Sequence, residues 1–177
     1  MTCADYLVDH LIRKGVTDIF GFPGGYIVPF MDALYKRRSE ITVHICYHEQ
    51  GCAFAANGYA RVSGRLGVYF TTSGPGAVNA LGGLADAWFD GVPLMGICGN
   101  VPTNELKGYS GIRQNGFQEM DIVSMTRNIT KLSVTPTDPE KFPEIVAQAY
   151  DLAMIGRKGG VIIDLPFNIQ KADHHCR

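Results

Sequence analysis

At 177 residues, 46% of them apolar, the chain is long enough for one sizeable core and short for two ordinary domains. Its 16 Lys and Arg stand against 17 Asp and Glu with no long run of either sign, which argues against nucleic acid or an anionic membrane as partner. The five cysteines have no spacing that suggests a zinc site or a disulfide framework, and "MTCADYLVDHLIRKG" resembles neither a secretory leader nor a membrane span; buried thiols in a cytoplasmic protein are expected.

Thr2 reads as the cap of a first helix in which Ala4, Leu7, Val8, Leu11 and Ile12 recur at helical spacing until Gly15 stops it. A short strand, "TDIFGF", runs into the turn Pro23 to Gly25, and a second helix is predicted from Ile27 to Arg37. "ITVHICY" reads as a strand, Glu49 opens a third helix, and "LGVYFT" is a strand that ends at the turn Thr72 to Gly76. One helix is predicted over "AVNALGGLADAWF", then the strand "VPLMGICG" and an ordered loop or two short pieces from Asn100 to Gly116. Asp121 to Arg127 reads as a helix and "ITKLSV" as a strand; "DPEKFPEIVAQAYDLAMIG" reads as a helix capped by Asp138, with Pro139 at its first position, and "GVIIDLP" is the last strand.

Strands and helices alternate, and the strands are continuous apolar runs rather than strict alternations. That is the pattern of an α/β domain, a three-layer α-β-α sandwich with a mostly parallel central sheet, here expected over residues 1–170 with a mobile tail at 171–177. In such sheets ligands sit beyond the carboxyl ends of the strands, so Phe22 to Gly25, Tyr47 to Glu49, Ser73 to Gly76 and Gly99 to Asn100 are expected to share one rim.

Neither "GFPGG" nor "TSGPGAVNALGG" has the lysine and spacing of a phosphate-binding loop or a dinucleotide fingerprint. Glu49 is either an ordinary first-turn charge, favoured there by exposed amides, or an acid–base group. His48 has no companion at ligand spacing and reads as structural. Gly51, Ala53, Ala56, Gly58 and Ala60 give the helix behind Glu49 a face of small volume, which lets another backbone approach within a core or across a subunit contact.

Taken together, "GFPGGYIVPFMDAL", "HEQGCAFAANGYARVSGRLGVYFTTSGPGAVNALGGLADAWFDGVPLMGICGNVP", "FQEMDIVSMTRNITK" and "GGVIIDLPFNIQ" resemble the amino-terminal pyrimidine-binding domain of thiamine-diphosphate enzymes, most of all the acetolactate synthase group. The resemblance implies the thiamine-diphosphate-binding fold and thiamine diphosphate as cofactor. It places Glu49 against N1' of the aminopyrimidine, favouring the imino tautomer whose nitrogen takes the thiazolium C2 proton. By the same resemblance Pro23, Gly24 and Gly25 form the loop near the ring, and Ser73, Gly74, Pro75, Gly76 and Asn79 line the crevice from the next strand end. Phe117 and Gln118 would lie on the substrate side, with a 2-keto acid such as pyruvate as substrate; Lys131 reads equally as a further substrate-side residue that meets the acid or as a solvated lysine at a strand edge. Glu119 is assigned first to holding its own loop.

Two features depart from that group. Tyr47 stands where many relatives carry arginine before His-Glu, and residues 103–116 look longer than in the branched-chain amino-acid enzymes, so a carboligase of another pathway, such as surface-sugar biosynthesis, competes. The Gly-Asp-Gly stretch through which the family holds magnesium and the diphosphate is not present. Magnesium is therefore expected only through a separate diphosphate-binding domain, in the same gene or another subunit, and the chain alone is expected to be inactive. His174, His175 and Cys176 are assigned no metal role. Self-association as a homodimer or higher homo-oligomer is expected, and a non-catalytic regulatory module with the same fold is the rival outside the enzyme class.

Overall fold

The computed structural model describes residues 1–108 and 111–173. The chain begins with α1 (Cys3–Arg13), started by a reciprocal cap: Asp5 N donates to Thr2 Oγ1 at 3.1 Å, and Thr2 N donates to Asp5 Oδ2 at 3.3 Å. β1 (Asp18–Gly21) leads through a 3₁₀ turn at Gly25–Ile27 into α2 (Val28–Lys36), and β2 (Thr42–Ile45) into α3 (Glu49–Ser63). β3 (Gly67–Thr71) is followed by α4 (Pro75–Asn79) and α5 (Leu81–Asp90), then β4 (Leu94–Asn100), α6 (Ile122–Thr126), β5 (Leu132–Val134), α7 (Phe142–Met154), β6 (Gly160–Pro166) and α8 (Phe167–Lys171).

The six strands form one sheet in the order β2-β1-β3-β4-β6-β5, and every neighbouring pair is parallel. Every residue of β3, β4 and β6 is buried, which explains apolar runs without alternation. One face packs against α1, α2 and α7 through Leu7, Leu11, Phe30, Phe142 and Val146; the other packs against α3 and α5 through Ala53, Ala56, Ala60, Leu84 and Ala87. These are the three layers expected.

From β1 the chain places β2 on one side and β3 on the other, so the connections leaving β1 and β3 diverge and open a crevice between their carboxyl ends. The segments Phe22 to Gly25 and Thr72 to Gly76 flank it. A second reversal occurs where β6 inserts between β4 and β5.

Three elements differ from the pattern read in the sequence. The helix expected to start at Pro139 begins as a 3₁₀ turn over Pro139–Lys141, capped by Asp138, whose Oδ1 accepts from Glu140 N at 3.0 Å, and α7 itself starts at Phe142. The helix expected over residues 77–89 starts earlier, at Pro75, and divides at Ala80, whose N–H turns back to Ala77 O at 3.2 Å; α5 then seats Gly83 on α3, where a Cβ would come within 2.6 Å of Ala53 Cβ. α8 was not foreseen, because five residues after a proline show no period. It is fixed by polar contacts of the buried Gln170, whose Oε1 accepts from Phe30 N at 3.3 Å and whose Nε2 donates to Tyr26 O at 2.7 Å and Leu165 O at 3.0 Å. Lys171 closes α8 and Asp173 bridges back to Thr2, while residues 174–177, with His174, His175 and Cys176, lie outside the described residues.

Replacing the cap tests the role of this terminus. Thr2→Ala removes the acceptor for Asp5 N and is expected to lower stability by about 1 kcal/mol, read as a shifted urea midpoint with an unchanged slope.

Candidate functional site

His48, in extended backbone, ends the connection from β2 and caps α3: its Nδ1 accepts from Gln50 N at 3.2 Å. Glu49 is therefore the first residue of α3 and is held at the strand-end rim. It is 9% exposed, unusually low for a carboxylate. Asn79, at the end of α4, donates through Nδ2 to Glu49 Oε2 at 3.1 Å. The other oxygen, Oε1, lies 3.1 Å from where a Cβ on Gly76 would stand.

The glycines around it are places where backbones meet. Gly74 has φ 57°, and a Cβ there would stand 2.4 Å from Gln118 O. Gln118 itself has φ 57° and is the one non-glycine residue with positive φ among the described residues, a conformation costing on the order of 1–3 kcal/mol unless its surroundings impose it. A Cβ on Gly24 would meet Thr72, so the loops after β1 and β3 are in contact. Ser73 is buried, and its Oγ has no hydrogen-bond partner among the described residues, an orphan a packed core rarely tolerates.

A cleft of about 490 Å³ opens on this rim, lined by Gly24, Gly25, Tyr26, Thr72, Phe117, Gln118 and Phe167. The loops expected to face ring and substrate thus share one opening, and Thr72 joins it to the Gly76–Glu49 contact, where a Cβ on Gly76 would also lie 2.9 Å from Thr72 Cγ2. Thr72, Tyr26 and Phe167 were not singled out in the sequence; only position after a strand pointed to Thr72, and nothing pointed to Phe167. Glu119 accepts from Lys107 N at 2.7 Å and Asn115 N at 2.9 Å, closing the loop that carries Phe117 and Gln118, in keeping with its assignment to that loop.

Lys131 is not brought to the rim. It precedes β5 at the opposite end of the sheet, and its Nζ donates to Ile155 O at 2.7 Å and Arg157 O at 2.9 Å. Among the described residues no group of three or more His, Cys, Asp or Glu side chains could hold a metal ion, and no helix is long and apolar enough to cross a membrane.

A family profile described as thiamine pyrophosphate enzyme, N-terminal TPP binding domain, matches residues 1–125. The chain belongs to this family. It is 44% identical over 174 residues to an acetolactate synthase of Arthrospira platensis, covering 97% of this chain and 29% of that protein. It is 47% identical over 168 residues to acetolactate synthase 1, chloroplastic, of Oryza sativa subsp. japonica, covering 95% and 25%. To the acetolactate synthase isozyme 2 large subunit of Escherichia coli (strain K12) it is 43% identical over 172 residues, covering 97% and 30%. The chain thus spans between a quarter and a third of the length of these relatives.

Within this thiamine pyrophosphate family domain, the second sheet reversal also carries a polar group. Asp164, near the end of β6, is 4% exposed; its Oδ2 accepts from Asn100 Nδ2 at 2.8 Å and Thr135 Oγ1 at 2.9 Å, and Asn100 Oδ1 accepts from Val101 N at 2.8 Å. It lines a cleft of about 670 Å³ with Lys107, Asp121, Arg127 and Thr135. Burial pushes the Asp164 carboxyl up to about 7; the Asn100 and Thr135 hydrogen bonds pull it down, and Asp121 and Glu119 add repulsion. The folded carboxyl keeps its proton to higher pH than the unfolded one. Its contribution to stability is therefore full below the ordinary value of 3.8 and is lost as pH rises to about 7. Asp164→Asn, which keeps an acceptor for Asn100 and Thr135 and cannot ionise, is expected to gain stability over the parent between those limits, by ~4 kcal/mol at most. Urea unfolding at pH 5 and pH 8 measures this; parallel profiles for the two proteins would assign the titration elsewhere.

Proposed function

We propose that this chain is the pyrimidine-side half of the active site of a thiamine diphosphate-dependent carboligase or decarboxylase of the acetolactate synthase kind, acting on 2-keto acids such as pyruvate. The observation that carries the reading is the Glu49 carboxylate, buried at a strand-end rim and held on one oxygen by Asn79 while the other faces a glycine. An ordinary first-turn charge would lie in water.

The residues present suit the cofactor's aminopyrimidine. Gly76 lets Glu49 and Thr72 come closer than a side chain would permit, Gly74 does the same for Gln118, Ser73 offers a buried hydroxyl without a hydrogen-bond partner among the described residues, and Gly24 and Gly25 wall the adjoining cleft, with Pro23 and Pro75 stiffening the two turns. When bound, thiamine diphosphate supplies a thiazolium that accepts the electrons left as a 2-keto acid loses carbon dioxide. Glu49 holds a proton at pyrimidine N1' by a charge-assisted hydrogen bond, and Asn79 fixes the carboxylate that does so. Phe117, exposed at the mouth, offers an apolar wall, and the Gln118 amide can donate to a substrate carboxylate. Lys131, bound to carbonyls at the far end of the sheet, has no part in this set.

Magnesium and the diphosphate are held, in this reading, by a domain outside these residues, and the working unit is a homo-oligomer in the cytoplasm or, as in the plant relatives named chloroplastic, a plastid. The outer face of α3 supports assembly. Ala53, Ala56 and Ala60 are buried against the sheet and α5, but Phe54 and Val62 are exposed and a Cβ on Gly58 would meet nothing within 4 Å. Exposed Trp88 and Phe89 on α5 extend the apolar surface.

Glu49→Gln keeps shape and hydrogen bonding but removes the anion. In the enzyme assembled with its diphosphate-binding domain, C2 proton exchange and turnover are expected to fall by roughly 10²–10⁴-fold at equal cofactor occupancy, with folding little changed. Rates within about threefold of the parent would return Glu49 to a simple helix-start charge. For the chain alone, no product from pyruvate above a cofactor-only control is expected, and sedimentation at roughly 100 micromolar is expected to show association; a strict monomer would reject the apolar face as a contact.

A further inference from the structure

Two thiols flank the turn that carries Glu49. Cys46 follows β2, is anchored by its N–H to Gly21 O at 3.1 Å and is partly exposed. Cys52 lies in α3, fully buried, its N–H bonded to His48 O at 3.2 Å and its Sγ donating to the same oxygen at 3.4 Å. Both are free, and Cys46 packs against the apolar cluster that holds Cys52, Ala53, Ala56 and Tyr69. A Cβ on Gly51 would stand 3.9 Å from Cys46 Cβ, which brings the start of α3 directly against Cys46. Cys46 also lies near enough to the Cys52 thiol to help push it up.

We propose that Cys46 and Cys52 are a redox modification site: a dithiol that takes a small-molecule disulfide as oxidant and closes into a disulfide across the turn bearing Tyr47, His48 and Glu49. Exposure orders the steps. The Cys46 thiolate attacks one sulfur of the oxidant, forming a mixed disulfide and expelling one thiolate, which takes up a proton. Cys52 then loses its proton to solvent, its sulfur attacks Cys46 Sγ, and the second half of the oxidant leaves as a thiol. Two protein thiols are oxidised by two electrons and one disulfide is reduced to two thiols. Cys52 cannot begin the sequence, because burial first, and then Cys46, push its thiol up to about 12 and leave little thiolate. Cys98 is fully buried inside β4, pushed by burial to about 12 and bonded to Thr71, and Cys3 belongs to the core on the other face of the sheet. Neither competes. Closure pins the first turn of α3 to the end of β2 on either side of Glu49. The proposal does not depend on what Glu49 binds.

The test uses the 177-residue chain with glutathione disulfide as the probe, read by peptide mapping and by counting alkylatable thiols after denaturation. Oxidation is expected to lower the count from the five cysteines of the sequence by two and to give a peptide linked between Cys46 and Cys52. Cys46→Ser is expected to abolish the link. Cys52→Ala, which keeps an apolar side chain in the core and whose fold is checked by circular dichroism, is expected to accumulate the glutathione adduct on Cys46. A parent chain that keeps a stable adduct on Cys46, that links other cysteines instead, or that retains all its thiols would overturn the proposal. Should Cys52→Ala not fold, the linked peptide in the parent and its loss in Cys46→Ser decide the matter.

Discussion

A carboxylate can be kept at this rim only where two chain segments meet closer than side chains permit. A Cβ at position 76 would stand 3.1 Å from Glu49 Oε1 and 2.9 Å from Thr72 Cγ2, so the first turn of α4 lies almost on the first turn of α3. That proximity brings Asn79, one turn further along α4, into hydrogen-bond reach of Glu49. Without it the carboxylate would have no reason to leave water, since burying a charge unpaired costs several kcal/mol. The sheet enforces the meeting, because reversal of strand order at β1 and β3 sends the chain away on both sides and leaves only tight turns between them.

The same constraint reaches the loop on the substrate side. Gln118 keeps a left-handed backbone because its carbonyl rests on Gly74, while Glu119 gathers the amides of Lys107 and Asn115 beneath it. Gly116 presses on Val101, where a Cβ would stand 2.6 Å from Val101 Cγ1, and Val101 N is held by Asn100, itself bonded to Asp164. A continuous set of contacts therefore runs from the second sheet reversal to the mouth of the first. Strain at one residue is tolerated because the contacts on either side leave it no alternative.

Much of the fold was legible because its signals are local or periodic. The Thr2 cap, the helical spacing of Leu7 and Leu11, and the apolar runs of β3, β4 and β6 each state their structure within a few residues. The break at Ala80 and the presence of α8 were not legible, since both depend on what lies across the sheet: Ala53 for Gly83, and Phe30, Tyr26 and Leu165 for Gln170. Of the site, Glu49 and the glycines could be placed on the rim from position after strands alone. The hydrogen bond that distinguishes Glu49 from a solvated charge joins residues thirty positions apart and has no local trace. Lys131 shows the converse error: a residue beside a strand belongs to the rim only at the carboxyl end, and Lys131 enters β5 at the other.

α3 shows how one helix can serve core and site together. Behind Glu49 its buried face is built from small side chains, Cys52, Ala53, Ala56 and Ala60 with the hydrogen-bonded Asn57, so the helix lies close on β1 and β3, and a Cβ on Gly67 would strike Ala56 O at 2.2 Å. Larger inner residues would lift the helix from the sheet and carry Glu49 away from Gly76. The carboxylate's position is thus set as much by missing volume further along α3 as by the cap and hydrogen bond beside it. The alanines and Gly67 therefore constrain the chemistry of the rim without touching it, and a methyl group added at any of them displaces the site through packing alone.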